Sequence, residues 1–187
     1  MGARPAVVDA LDRSALIEAV VRSRADIVIH QLTDLARIVA GGSFPADVLE
    51  ANARIRIEGT ANLVDATVTV GARRLVAQSI AWLRGPTDEP LPLLPGADTT
   101  ERGVHALETR VVGDGRFDGL VLRYGRLYGP GTWDLEPPDA PSVSVSAAAR
   151  AAALAVTNGG AGVYNIVDDS GPVSNARARR ELGWQPD

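Results

Sequence analysis

The sequence of 187 residues is 45% hydrophobic, a composition typical of one globular domain with a sizeable core. The absence of cysteine excludes disulfides and thiolate nucleophiles and is typical of a reducing, cytoplasmic environment, while the isolated His30 and His105 indicate no metal site. The net charge of −4, and the lack of any apolar run near the roughly 18 residues that a membrane span needs, predict neither a nucleic-acid partner nor a membrane partner.

Strand-like and helix-like segments alternate along the chain. Helices are predicted over residues 13–23, 45–70, 99–112, 146–157 and 174–182, and strands over residues 6–9, 25–32, 74–79, 120–124 and 162–167. Asp12 can cap the first helix, Pro45 suits the first turn of the second, and Gly71 suits its end. Proline-rich loops are predicted over residues 84–95 and 133–141. The alternation predicts a doubly wound, mostly parallel sheet in a three-layer α/β/α arrangement.

In such a sheet, ligands bind outside the carboxyl ends of the strands. The segments that follow the predicted strands begin with Asp9, Gln31, Ser79 and Arg123. We therefore expect these four loops to converge at one edge, where a small-molecule substrate would bind.

Six segments in order resemble the NAD-dependent epimerase/dehydratase family, the extended short-chain dehydrogenases/reductases. They read VVDALD, ADIVIHQLT, NARIRIEGTANLVDA, RLVAQS, LRYGRLYGPG and RRELGW, and they extend from about Ala3 to Pro186. The resemblance implies a Rossmann-like domain over residues 1–187, in which residues 125–187 correspond to the substrate-side part.

The resemblance also implies NAD or NADP as the cofactor and roles for individual residues. The implied cofactor-binding residues are Asp9, Ala10, Leu32, Thr33, Asn52, Tyr124 and Leu127, and the implied substrate-side residues are Trp82, Arg126 and Tyr128.

Several of these positions have a simpler structural interpretation. Asp9 can end a strand in a turn, and Asn52 on an apolar helix face can brace the backbone. His30 alternates with apolar residues, which favours a satisfied core histidine over a catalyst. Arg123 can pair with a carboxylate of the fold, and Trp82 can be a pocket wall or a loop anchor.

The sequence departs from the family at its acid/base residues. The family uses a tyrosine with a lysine four residues later, and counting back from Glu108 places Thr100 and Val104 at those positions. Neither side chain can transfer a proton. The remaining candidates are Ser79, which matches a serine of the family's strand, and His105, the nearest titratable side chain.

The sequence also lacks the family's first β-α-β unit with its Gly-x-x-Gly-x-x-Gly turn. The sheet is therefore expected to be incomplete, with residues 26–32 forming an exposed edge. An apolar edge strand invites pairing. Three outcomes are expected: residues 6–9 pair with residues 27–29, a partner chain pairs there by self-association, or the chain is unstable alone.

Two functional interpretations remain open. The chain can be an atypical NAD(P)-dependent epimerase/dehydratase-like oxidoreductase that acts on a sugar nucleotide or a related carbonyl or hydroxyl substrate. Alternatively, it can be a non-catalytic dinucleotide-binding or regulatory protein, or an inactive truncated fragment. The missing glycine turn weighs against tight binding of NAD(P), and the missing tyrosine and lysine weigh against standard hydride chemistry.

Overall fold

A computed structural model describes residues 3–35, 44–83, 88–139 and 141–187. The helices are α1 (Arg13–Ser23), α2 (Ala46–Arg54), α3 (Thr60–Val70), α4 (Thr99–Gly113) and α5 (Val145–Leu154), with π-helical turns at Ile55–Gly59 and Ala178–Leu182. The strands are β1 (Ile27–His30), β2 (Arg74–Ile80), β3 (Asp118–Tyr124), β4 (Arg126–Tyr128), β5 (Ser142–Ser144) and β6 (Gly162–Ile166).

The main sheet is parallel and four-stranded, in the order β1-β2-β3-β6. The predicted α/β architecture is therefore confirmed. Burial on both faces of the sheet explains the apolar runs in its strands. Leu75 and Ala77 pack with α1, α3 and α4 on one face, whereas Val76 between them packs with α5 and Trp184 on the other.

The helix boundaries follow their capping residues. The Asp12 side chain accepts a hydrogen bond from the amide of Ala15 and caps α1, as predicted. Gly71 ends α3 in the left-handed conformation with φ of 72°, a conformation that glycine adopts without strain. The predicted helix over residues 45–70 forms, but the π-helical turn Ile55–Gly59 divides it into α2 and α3.

Two local predictions were wrong. Residues 6–9 form no strand and do not pair with β1, and the side chain of Val7 is fully exposed. A strand needs a neighbour for its backbone hydrogen bonds, and within the described residues β1 pairs only with β2. The segment after β3, predicted to be a loop, instead contains β4 and β5 as a small parallel sheet. Each has three residues, too few to produce a periodic signal.

Candidate functional site

The four main strands are parallel, so their carboxyl ends lie at one edge of the sheet. Gln31, Ala81, Gly125 and Val167 each follow a strand at this edge. The predicted convergence of loops after β1, β2 and β3 is therefore present. Helix α4 packs beside this edge, because its Glu108 side chain contacts both Ser79 near the end of β2 and Leu91 in the loop after it.

Glu108 of α4 organises the middle of this edge. Its carboxylate is fully buried and accepts two hydrogen bonds from Arg123, at 2.8 Å from Nε and 2.6 Å from an amino nitrogen. It also accepts hydrogen bonds from Ser79 Oγ at 2.7 Å and from the Leu91 amide at 2.7 Å. The prediction that Arg123 pairs with a carboxylate of the fold is confirmed. Ser79, a candidate catalytic residue, uses its hydroxyl in this network.

His105, the other catalytic candidate, holds the same loop. Its Nδ1 lies 2.7 Å from the carbonyl oxygen of Leu91, so Nδ1 carries a proton and donates it. Leu91 is thus tied to α4 through both its amide and its carbonyl group. On the same helix Thr100 is half-buried and Val104 is buried, and neither side chain can serve as an acid or base at neutral pH.

His30 at the end of β1 is a buried, neutral histidine. Its Nδ1 accepts a hydrogen bond from the Leu32 amide at 3.1 Å, so the proton resides on Nε2, which donates to Thr60 Oγ1 at 2.9 Å. Burial and the nearby positive charge of Arg56 lower the pKa of His30 to about 4. Both ring nitrogens are satisfied, which confirms the prediction of a core histidine.

The loop after β1 is braced from α2. Asn52 is buried, and its side-chain oxygen accepts a hydrogen bond from the Asp34 amide at 3.0 Å. The side chains of Leu32 and Thr33 between these fixed points are exposed. The Leu32 and Thr33 side chains are therefore exposed to solvent, while hydrogen bonds on either side of them hold the backbone in place.

The turn at Asp9 and Ala10 packs against the second half of the long helix. The Asp9 carboxylate accepts a hydrogen bond from the Leu11 amide, as a turn residue does. The Asn62 side chain donates to the carbonyl of Ala10 at 3.0 Å, and a Cβ built on Gly59 would lie 3.8 Å from the Ala10 Cβ. Gly59 thus lets this turn approach the helix closely.

The segment after β3 carries the remaining predicted side chains. Burial raises the pKa of Tyr124 to about 12, which keeps its hydroxyl protonated at neutral pH. Arg126 and Leu127 are exposed, and Tyr128 is half-buried. Burial and the nearby Asp168 raise the pKa of Tyr128 as well. Neither tyrosine is activated as a base.

Exposed aromatic side chains occur after β2, after β4 and before α2. Trp82, which follows β2, is 44% exposed. Phe44 and Trp133 form an edge-to-face pair with ring centroids 6.3 Å apart, although 89 residues separate them in sequence. The pair therefore links the segment before α2 to the segment after β4.

Arg56 is a functional candidate that the sequence interpretation missed. It lies in the π-helical turn, is 3% exposed, and approaches both His30 and Glu108 closely enough for electrostatic interaction. Burial lowers its pKa to about 10, so it stays positively charged at neutral pH. The signal was present, because Arg56 is four residues after Asn52 and three before Gly59 on the buried helix face.

Three local features bear on the implied NAD(P) site. Asp9 and Ala10 form a turn, the Leu32 and Thr33 side chains after β1 are exposed, and Tyr124 is buried. No described strand is followed by a glycine-rich turn and a helix N-terminus, the combination that holds a pyrophosphate. The cofactor-binding roles of these residues therefore stay predictions.

The chain resembles known proteins in both sequence and structure. The model of the NAD dependent epimerase/dehydratase family matches residues 3–184. A Streptomyces protein described as 3-diazoavenalumate denitrifying reductase is 44% identical over 179 residues. That alignment covers 89% of this chain and 56% of the reductase, so the chain spans little more than half of that relative.

Two solved structures with about the same fold have much lower identity. The Thermotoga maritima UDP-glucose 4-epimerase, solved with UDP-glucose, has a TM-score of 0.68 at 17% identity, over 96% of this chain and 78% of the epimerase. The Bordetella bronchiseptica enzyme WbmG, solved with NAD and UDP, has a TM-score of 0.69 at 17% identity, over 97% and 74%. No described helix is both long and apolar enough to span a membrane.

Proposed function

The chain belongs to the NAD-dependent epimerase/dehydratase family, and on that premise we propose that it forms the substrate-side part of an NAD(P)-dependent reductase. We propose further that its substrate is an aromatic acid bearing a diazo or diazonium group. The relative that is 44% identical is described as a denitrifying reductase of 3-diazoavenalumate, whose name denotes a carboxylate with a diazo group. The proposal also accounts for the chemistry of the site.

The observation that carries the proposal is that none of the four described acid/base candidates on α4 and β2 has a proton free to give. Thr100 and Val104 cannot transfer protons, and the Ser79 hydroxyl is already bound to Glu108. His105 donates to the Leu91 carbonyl. Reduction of a carbonyl group requires a proton for its oxygen, which a positioned acid supplies. A site whose described candidates beside α4 offer no such acid suits a substrate that needs none.

Reductive loss of dinitrogen is a reaction of that type. When hydride replaces the N₂ group of an arenediazonium ion, one C–H bond forms, one C–N bond breaks, and N₂ leaves with the bonding electron pair. The substrate is reduced by two electrons, and no proton is taken from the protein. NAD(P)H supplies the hydride when it is bound.

Asp9, Ala10, Leu32 and Thr33 would hold the adenine side of the cofactor, whereas Asn52, Tyr124 and Leu127 would support its nicotinamide side. We propose that an additional strand pairs with the open edge of β1 and brings the pyrophosphate-binding turn. Ile29 on β1 is 46% exposed, which supports pairing there. Self-association through this edge is one of the three outcomes that the sequence leaves open.

Calorimetric titration with NAD and NADP tests the cofactor proposal. The chain alone should bind weakly, whereas a fusion to the part of the Streptomyces relative that this chain does not match should bind in the micromolar range. Micromolar binding by the chain alone would contradict the proposed division of the site.

Turnover is tested on the fusion with an arenediazonium carboxylate and cofactor deuterated at the nicotinamide. We expect release of N₂ and one deuterium in the arene. Turnover of UDP-glucose instead would support the predicted sugar-nucleotide substrate and refute the diazo proposal.

A non-catalytic dinucleotide-binding or regulatory role, or an inactive fragment, is the second candidate. The observation that favours it is the same one, that none of the described candidates beside α4 has a free proton to give. The fusion would then bind NAD(P) and turn over neither substrate.

A further inference from the structure

Arg56 carries a buried charge without a partner. Its side chain is 3% exposed, and its Nε is sealed from solvent and makes no hydrogen bond. Within the described ranges, no carboxylate forms an ion pair with this guanidinium. Arginine is rarely buried unless it is paired, so the position calls for a specific explanation.

The surrounding ionisable groups do not neutralise Arg56. His30 is neutral, and both of its ring nitrogens are used. Glu108 is already paired with Arg123 through two short hydrogen bonds. Arg56 and Arg123 are positive, Glu108 is negative, and His30 is neutral. The edge between β1 and α4 therefore carries an excess positive charge.

The tip of the guanidinium group is less completely sealed than its Nε. The two terminal nitrogens of Arg56 also lack a hydrogen bond within the described ranges, but unlike Nε they are not sealed from solvent. Gly103 of α4 allows this arrangement, because a Cβ built there would lie 3.1 Å from the Ala53 Cα and 3.5 Å from the Arg56 Cβ. Helix α4 therefore packs closely against the end of α2 and the Arg56 Cβ, and the terminal N–H groups of Arg56 are left for a ligand.

We propose that Arg56 binds an anionic oxygen of the substrate, a carboxylate or a phenolate, at the carboxyl edge between β1 and α4. This inference rests on the proposed function, since an aromatic acid carries such an oxygen. A guanidinium group offers several donors in one plane and stays charged, so it stabilises an oxyanion without giving up a proton. Arg56 would thus provide electrostatic stabilisation at a site that lacks an acid.

Ligand binding tests the assignment without any turnover. The first probe is 4-nitrophenol, whose visible absorption reports its ionisation. The second is trans-cinnamate, with neutral cinnamamide for comparison, measured by calorimetry. The variants are Arg56→Met and Arg56→Lys. The matched control is Arg54→Met, because Arg54 lies two residues earlier, is exposed, and pairs with Glu58.

We expect bound 4-nitrophenol to ionise about one pH unit lower than free 4-nitrophenol, or cinnamate to bind about tenfold more tightly than cinnamamide. The first result identifies a phenolate as the ligand group and the second a carboxylate. Arg54→Met should keep the effect, Arg56→Lys should keep part of it, and Arg56→Met should lose it.

The inference is overturned if neither probe responds in the wild type, or if Arg56→Met responds as the wild type does. Arg56→Met should also melt no lower than the wild type, because it removes an unpaired buried charge. A large drop in Tm would mean that Arg56 has an internal partner, which would equally refute the inference. If the probes respond but the fusion does not reduce an arenediazonium, the anion site stands and the proposed reaction fails.

Discussion

Substitution of Arg123 by methionine is predicted to destabilise the fold severely. Arg123 donates to Glu108 at 2.8 Å and 2.6 Å and to the Glu89 carbonyl at 2.8 Å. Glu108 is fully buried, and after the substitution it would keep only the hydrogen bonds from Ser79 and Leu91. The negative charge would then have no hydrogen-bonded cation, and Arg56 would be the remaining positive charge near it.

The expected loss follows from this geometry. Removing one partner of a buried ion pair costs about 3–5 kcal/mol, because the other charge stays buried and uncompensated. Since a domain of this kind has a free energy of unfolding of about 5–15 kcal/mol, Arg123→Met would remove a large fraction of it. An exposed pair is worth only about 0–1 kcal/mol, so Arg22→Met, which breaks the exposed pair with Glu18, is the matched control.

Urea denaturation followed by circular dichroism measures both variants. The double variant Glu108→Leu/Arg123→Met should be less destabilised than the sum of its single variants, because it removes both charges together. The reasoning is refuted if Arg123→Met costs less than about 1 kcal/mol, the value of a surface pair. It is also refuted if the two substitutions are additive.

Three further predictions concern other parts of the edge. Burial and Arg56 lower the pKa of His30 from 6.5 to about 4, so between these pH values the unfolded chain binds a proton that the folded chain does not. The free energy of unfolding should therefore fall by about 3 kcal/mol as pH drops from 6.5 to about 4. His30→Gln should flatten this part of the pH–stability curve. Gly125→Ala should cost about 1–3 kcal/mol in urea denaturation, because a Cβ there would lie 2.5 Å from the Ser142 carbonyl carbon, and an unchanged midpoint would contradict the close approach. Ile29→Lys should change stability by less than about 0.5 kcal/mol but reduce any self-association seen by light scattering, and equal association of variant and wild type would exclude the β1 edge as the contact.

The sequence alone predicted most of the fold, because its signals are local. Apolar runs predicted the buried strands, and Asp12 and Gly71 correctly predicted the start of α1 and the end of α3. The short strands β4 and β5 were missed, since three residues carry no periodicity and their pairing joins distant segments. Residues 6–9 look like a strand in sequence, but they have no neighbouring strand to pair with in the described part of the chain.

For the candidate site too, some features follow from the sequence and others only from the tertiary structure. The sequence by itself determined the loops that converge at the carboxyl edge, the family, and the lack of a tyrosine and lysine at positions 100 and 104. Only the tertiary structure decided which polar groups are already used, because a hydrogen bond between Ser79 and Glu108 depends on packing between elements 29 residues apart. It likewise decided that Arg56 is buried beside neutral His30 without a carboxylate partner in the described residues. An arginine in a helical sequence is ordinarily a solvated surface residue, and burial strengthens its attraction for an anion because less water screens the charge.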